Sequence, residues 1–249
     1  MRVDKLEVEI YATRAEMGVA AAWDVAAQMR ELLAQQERVH MVFAAAPSQN
    51  EFLAALASFP DLDWSRVEAF HMDEYVGLPE DAPQRFGNFL RAHIFALVRP
   101  GRVEYINGNA PDPEAECERY AKLLQERPID IVCAGIGENG HMAFNDPHVA
   151  DFEDPKVVKV VTLDEVCRQQ QVHDGAFATI EEVPRQALTM TMPALMSARW
   201  ITCVVPGPTK TEAVYRTLRG PISTACPATI MRRHDHAVLY LDQAAAAKL

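Results

Sequence analysis

The sequence predicts an α/β protein: a doubly wound, mostly parallel sheet, Rossmann-like in its winding, with helices on both faces and residues 1–249 in a single domain. Three observations predict it. Short apolar runs of strand length alternate with longer amphipathic stretches, the pattern left by parallel strands joined through crossover helices. Proline and glycine are scattered, with no linker and no internal repeat. A chain of 249 residues, 49% hydrophobic and 24% charged, has the composition of a globular protein that buries a sizeable core.

In chain order, Arg38–Ala46 (RVHMVFAAA) reads as a buried strand and Val67–Met72 (VEAFHM) as a second. Ile129–Ala134 (IDIVCA), Val157–Leu163, Trp200–Val205 (WITCVV) and Ala237–Leu241 (AVLYL) complete the set. Met17–Gln35, Gln49–Ser58, Gln84–Leu97, Glu114–Glu126 and Thr209–Arg219 carry apolar residues at helical spacing. Ligands in such sheets collect at the carboxyl ends of the strands. The loops after Ala46, Met72, Ala134 and Val205 are therefore the ones to read for chemistry.

Bulk properties narrow the function. A formal net charge of −11 argues against nucleic acid as a partner, which requires a concentrated basic face. An anionic ligand must instead be held by a local site. The five cysteines, at 117, 133, 167, 203 and 226, are odd in number and contain no C-x-x-C pair. They read as reduced, mostly buried thiols of a cytoplasmic protein, not as a metal knuckle or disulfide framework. The charged stretch Met1–Ile10 is no signal peptide, and no apolar run is long enough to cross a bilayer.

The most informative segment is Gly135–Pro147, GIGENGHMAFNDP. Three glycines directly after a strand allow a sharp turn and a close backbone approach to a ligand. The spacing of Gly135, Gly137 and Gly140 is wrong for a dinucleotide fingerprint, and Asn145-Asp146-Pro147 blocks the long helix that fingerprint needs. His141 sits between glycine and a polar turn, where it is either a proton shuttle or a structural histidine. The second segment is Phe70–Pro79, FHMDEYVGLP. Its adjacent acids, Asp73 and Glu74, end an apolar strand, either as a desolvated base in the crevice or as a solvated turn.

Together these strings resemble the glucosamine-6-phosphate deaminase (isomerase) family, whose hallmarks look like MDEY-x-GLP and G-x-G-x-x-GH-x-AFNEP. The likeness extends to Asn107-Gly108-Asn109-Ala110-Pro111, to Pro184 with Ala187-Leu188-Thr189, and to Cys226-Pro227-Ala228 followed by His234. The related 6-phosphogluconolactonases share the fold and a similar glycine–histidine loop but lack the MDEY and AFN-acid-P strings. The resemblance implies ring opening and aldose–ketose isomerisation of a phosphorylated amino sugar, with expulsion of ammonia and no metal or nucleotide cofactor. It assigns Asp73 the proton transfer between sugar carbons one and two, His141 the proton on the ring oxygen, and Asp146 the support of that histidine. Gly137, Gly140 and Glu74, within the same strings, are implied substrate contacts. Family members occur in several assemblies, so a homo-oligomer is among the expectations.

The chain departs from the family pattern at four places. Asn139 replaces an aspartate two residues before the histidine, and Asp146 is one methylene shorter than the usual glutamate. The phosphate loop, typically Gly-Gly-rich, reads Ala44-Ala45-Ala46-Pro47-Ser48-Gln49. Ala45, Ala46, Ser48 and Gln49 are candidates to bind phosphate through backbone N–H groups and the Ser48 hydroxyl, with Ser48 as a simple helix cap the alternative. A family arginine before two aromatics has no direct counterpart; His173 falls nearest in register, with Arg168 upstream as the candidate cation. Lys210, in Pro206-Gly207-Pro208-Thr209-Lys210, matches the family's lysine. His234 and His236 would share one face of a strand, but no third ligand lies nearby in sequence. Two other functions compete: a lactonase-like hydrolase in which His141 activates water, and a sugar-phosphate sensor without catalysis.

Overall fold

In the computed structural model, which describes residues 1–249, the chain opens with β1 (Arg2–Val3) and β2 (Leu6–Tyr11), an antiparallel pair. The apolar runs did not reveal β2, because only Leu6 and Val8 of it are buried. α1 (Arg14–Gln35) starts from a capping box: the Thr13 hydroxyl accepts from the Glu16 N–H and the Glu16 carboxylate from the Thr13 N–H, both at 3.2 Å. Its buried stripe runs from Met17 through Ala21, Val25 and Met29 to Leu32.

β3 (Val39–Phe43), α2 (Asn50–Ala57), β4 (Val67–His71) and β5 (Asp73–Tyr75) follow. The stretch expected to be one helix over Gln84–Leu97 begins at α3 (Phe86–Leu90), widens into a π-turn at Arg91–Phe95, and ends as α4 (Ala96–Val98). Then come β6 (Arg102–Glu104), α5 (Pro113–Gln125), β7 (Ile131–Ala134), β8 (Val158–Thr162) and α6 (Glu165–His173). β9 (Gln186–Met190), α7 (Met192–Met196), β10 (Trp200–Val205), α8 (Thr211–Arg219) and β11 (Ala237–Asp242) complete the chain.

Eight strands form the main sheet in the order β1-β2-β11-β10-β7-β3-β4-β6, parallel except for the β1–β2 pair. Its strands alternate between two apolar layers, which is why they read as continuous hydrophobic runs. On β7, Ile131 and Cys133 point into one layer, while Val132 and Ala134 point into the other. β10 does the same, with Ile201, Cys203 and Val205 on one side and Val204 on the opposite one. From the central pair the winding runs out through β4 and β6 on one side and through β10 and β11 on the other. The crevice that such a reversal opens lies at the ends of β3 and β7.

The expected strand at Val157–Leu163 is not part of this sheet. As β8 it pairs with β9, and β9 with β5, in a separate antiparallel sheet of three strands. β4 and β5 are separated only by Met72, whose N–H donates to Phe43 O of the large sheet and whose carbonyl accepts from Met190 N of the small one, at 3.3 and 2.8 Å. The chain thus passes from one sheet to the other at Met72. His234 and His236 also depart from expectation: both precede β11, and His234 Nε2 donates to Ala198 O at 2.8 Å.

Candidate active site

The ends of β3, β4, β7 and β10 meet at a cleft of about 520 Å3. Ala45, Ala46, Ser48 and Gln49 line it from the loop after β3, and Asp73 from the start of β5. Gly137 and His141 enter from the loop after β7, and Lys210 from the loop after β10. Eight of the thirteen residues singled out in the sequence therefore share one cleft.

The Asp73 carboxylate is 6% exposed and accepts no hydrogen bond from the protein. Burial, and after it the charge of Glu74, pushes it well above the ordinary carboxylate range. Its main chain is fixed by His71, whose Nδ1–H donates to Asp73 O at 2.8 Å while Nε2 accepts from the Ile106 N–H at 3.0 Å. Full burial lowers the His71 pKa to about 4, so the ring is neutral and can serve both bonds.

His141 is packed into its own loop. A Cβ on Gly137 would stand 2.1–2.4 Å from three atoms of the imidazole, so glycine is required there for the ring to occupy this position. His141 Nδ1 lies 3.0 Å from Asp146 Oδ1. Asp146 is fully buried, and although burial opposes its charge, the contacts with His141 and Asn139 hold it below the ordinary range. Asn139 acts on the backbone and on Asp146 instead of the imidazole: its Oδ1 accepts from the His141 N–H at 2.9 Å and its Nδ2 donates to Asp146 Oδ1 at 3.0 Å. The turn beyond is pinned to the small sheet, with the Phe144 N–H donating to Thr189 Oγ1 at 3.0 Å and Asn145 Nδ2 to Met190 O at 2.8 Å. Ala143 in this turn holds φ +50°, a left-handed conformation that a non-glycine residue adopts only when its surroundings enforce it.

Lys210 is 5% exposed, with no carboxylate or carbonyl in bonding reach of its ammonium. Burial lowers its pKa against the pull of Asp174 and Glu138. Gln49, beside Ser48, bonds Val204 O through Nε2 at 3.1 Å, which ties the rebuilt Ala44–Gln49 loop to β10.

Three of the expected substrate contacts do other work. The Glu74 carboxylate accepts from the N–H groups of Tyr75, Phe86 and Gly87 at 3.0–3.1 Å and so anchors the start of α3. Gly140, at φ +89°, faces away from the cleft, and a Cβ there would meet Cys226 Sγ at 2.4 Å. Arg168 donates to Ile180 O and Val183 O, so its fork is spent on main-chain carbonyls. His173 is exposed and lies 3.4 Å from Glu138, outside the cleft lining.

The sequence reading missed Phe86, Gln170, Gln171 and Asp174, which also line the cleft. Gln170 accepts from the Glu138 N–H at 2.7 Å, and Gln171 from the Tyr75 hydroxyl at 2.8 Å. Their helix, α6, is short and largely polar, so it left no apolar periodicity to find. His141, Asp146 and Cys167 carry donor atoms within 4.8 Å of one another. Burial, with the charges of Asp146 and Asp164, pushes the Cys167 thiol far above its usual range in the metal-free protein.

The family model for glucosamine-6-phosphate isomerases/6-phosphogluconolactonase matches residues 12–240. Glucosamine-6-phosphate deaminase of Streptococcus equi subsp. zooepidemicus (strain H70) is 36% identical over 190 residues, covering 76% of this chain and 79% of that protein. The Streptococcus suis (strain 05ZYH33) enzyme of the same name is 37% identical over 190 residues, with the same coverage. A solved structure of a monomeric glucosamine-6-phosphate deaminase superimposes with a TM-score of 0.89 at 31% identity, over 97% of this chain and 99% of that one. 6-Phosphogluconolactonase from Thermotoga maritima shares the fold, with a TM-score of 0.76 at 19% identity over 96% of this chain and 100% of its own. The chain belongs to the glucosamine-6-phosphate isomerase/6-phosphogluconolactonase family.

Proposed function

We propose that this member of the family is a deaminating isomerase, converting glucosamine 6-phosphate and water to fructose 6-phosphate and ammonia. One observation carries the reading: the cleft that holds His141 also holds a buried carboxylate, Asp73, and a buried ammonium, Lys210, neither paired within the protein. Leaving charges buried and unpaired costs several kcal/mol, and a ligand carrying a phosphate and an ammonium would relieve both.

In this reading Lys210 and the Ser48 loop take the phosphate. Asp73 moves the proton between carbons one and two. Desolvation makes its carboxylate a stronger base, and the substrate's ammonium beside it favours the ionised form. The Asp146 charge, 3.0 Å from Nδ1 of His141, favours the proton on that nitrogen and leaves Nε2 to exchange a proton with the ring oxygen. Each positioned acid–base group contributes about 10²–10⁴-fold. Five buried free cysteines support a cytosolic location, and the monomeric relative supports a single chain as the working unit.

The test is to follow ammonia and fructose 6-phosphate from purified protein and glucosamine 6-phosphate, with His141→Gln as control. Ammonia that disappears in the variant is the expected result. A folded wild-type protein that releases none from any 2-amino-2-deoxyhexose 6-phosphate overturns the reading.

A further inference from the structure

We infer that Asp164 is a positioning residue for His141: through the Asn139 amide it joins Asp146 in one hydrogen-bonded carboxylate pair behind the imidazole, with His148 closing the chain at the surface. The inference rests on the deaminase reading for its role in turnover, and on geometry alone for its effect on the histidine.

Asn139 Nδ2 donates to Asp146 Oδ1 at 3.0 Å and reaches Asp164 Oδ2 at 3.5 Å, so one amide group bridges the two acids. The Asp164 N–H in turn points to Asp146 Oδ2 at 3.5 Å. Donor atoms of Asp146, Asp164 and His148 lie within 4.8 Å of one another, and His148 Nδ1 is 3.8 Å from Asp164 Oδ2. The chain of contacts thus runs from a buried imidazole, through a fully buried carboxylate and a half-buried one, to an exposed imidazole. Asp164 also caps α6, accepting from the Cys167 N–H at 2.6 Å through its other oxygen.

This arrangement gives Asn139 a physical reason. An aspartate at that position would set a third carboxylate against two that are already close and would remove the amide that donates to both. With asparagine at 139 the amide supplies the hydrogens that bridge Asp146 and Asp164. The charged and titratable groups around His141 are Asp146, Asp164, Cys167 and His148 behind it, and Asp73, Asp174 and Lys210 across the cleft; Glu138 and its neighbour His173 flank the loop.

The experiment uses Asp164→Asn and the exchange N139D/D164N. Asparagine caps helices as well as aspartate does, so α6 survives both changes, and thermal melts verify it. His141 is titrated by NMR in the ligand-free protein, and the pH–rate profile of ammonia release is recorded. Removing the charge lowers the His141 titration midpoint and moves the matching limb of the profile the same way. The exchange, which returns a carboxylate to the same bridge, restores both. An unchanged midpoint in D164N, or an exchange variant no better than the sum of its single changes, overturns the inference. A wild-type protein that releases no ammonia defeats the deaminase reading instead, and the NMR result still decides the role of Asp164.

Discussion

Behind His141 the polar groups are tied to one another: Asp146 is held by His141 and Asn139, and Asn139 also secures the loop backbone. Asp73 and Lys210, on other strand ends of the same cleft, are as deeply buried and have no partner in the protein. The difference separates two jobs. A networked side chain has one orientation, as a proton-transfer group needs. An unpaired buried charge is a cost to the folded state that only a ligand removes.

The comparison makes predictions of decreasing size. Asp73→Asn should cut turnover by about 10²–10⁴-fold and yet melt higher at pH 7. A carboxyl whose folded pKa is raised weakens the fold above its ordinary pKa, and the amide ends that cost. A lower melting temperature would break the contrast. Gly137→Ala should cost about 10²-fold in kcat with a smaller change in KM, because the new methyl displaces the imidazole. Steady-state kinetics read this directly.

Lys210→Met should raise KM for the phosphorylated sugar about tenfold or more. It should also melt at a higher temperature than wild type in phosphate-free buffer. Inorganic phosphate should then stabilise the wild type and not the variant. A change in stability, with none expected in the chemistry, tests the frame outside the cleft. His71 folds with a pKa of about 4, below the ordinary 6.5, so the unfolded chain binds more protons between those values. Stability contributed by neutral His71 is complete above about pH 6.5 and falls by up to about 3 kcal/mol toward pH 4. His71→Gln should flatten that part of a pH series of melting temperatures.

The sequence made the large parallel sheet legible because its strands are buried on both faces, as the apolar runs of β3, β7 and β10 record. The small sheet was harder to see. β5 is three residues long and two of them are acids, while β9 (QALTM) is brief and starts on an exposed glutamine. The same division holds at the cleft. Asp73, His141 and Lys210 stand in strings whose glycines and acids are unusual after a strand. Gln170 and Gln171 belong to a polar helix, with Asp174 as its C-cap, that local pattern cannot distinguish from a surface one. Glu74, Gly140 and Arg168 belong to recognisable strings or registers, yet they hold loops together, because a motif also contains what its shape requires.

Met72 is bonded to both sheets, and the residue after it is Asp73. The turn beyond His141 hangs from Thr189 and Met190 of the small sheet, the same strand that pairs with Asp73. Lys210 and the Ser48 loop instead follow strands of the large sheet. In mechanical terms Met72 is a shared fastening: the base and the turn beyond the imidazole are anchored in the small sheet, and Lys210 in the large one.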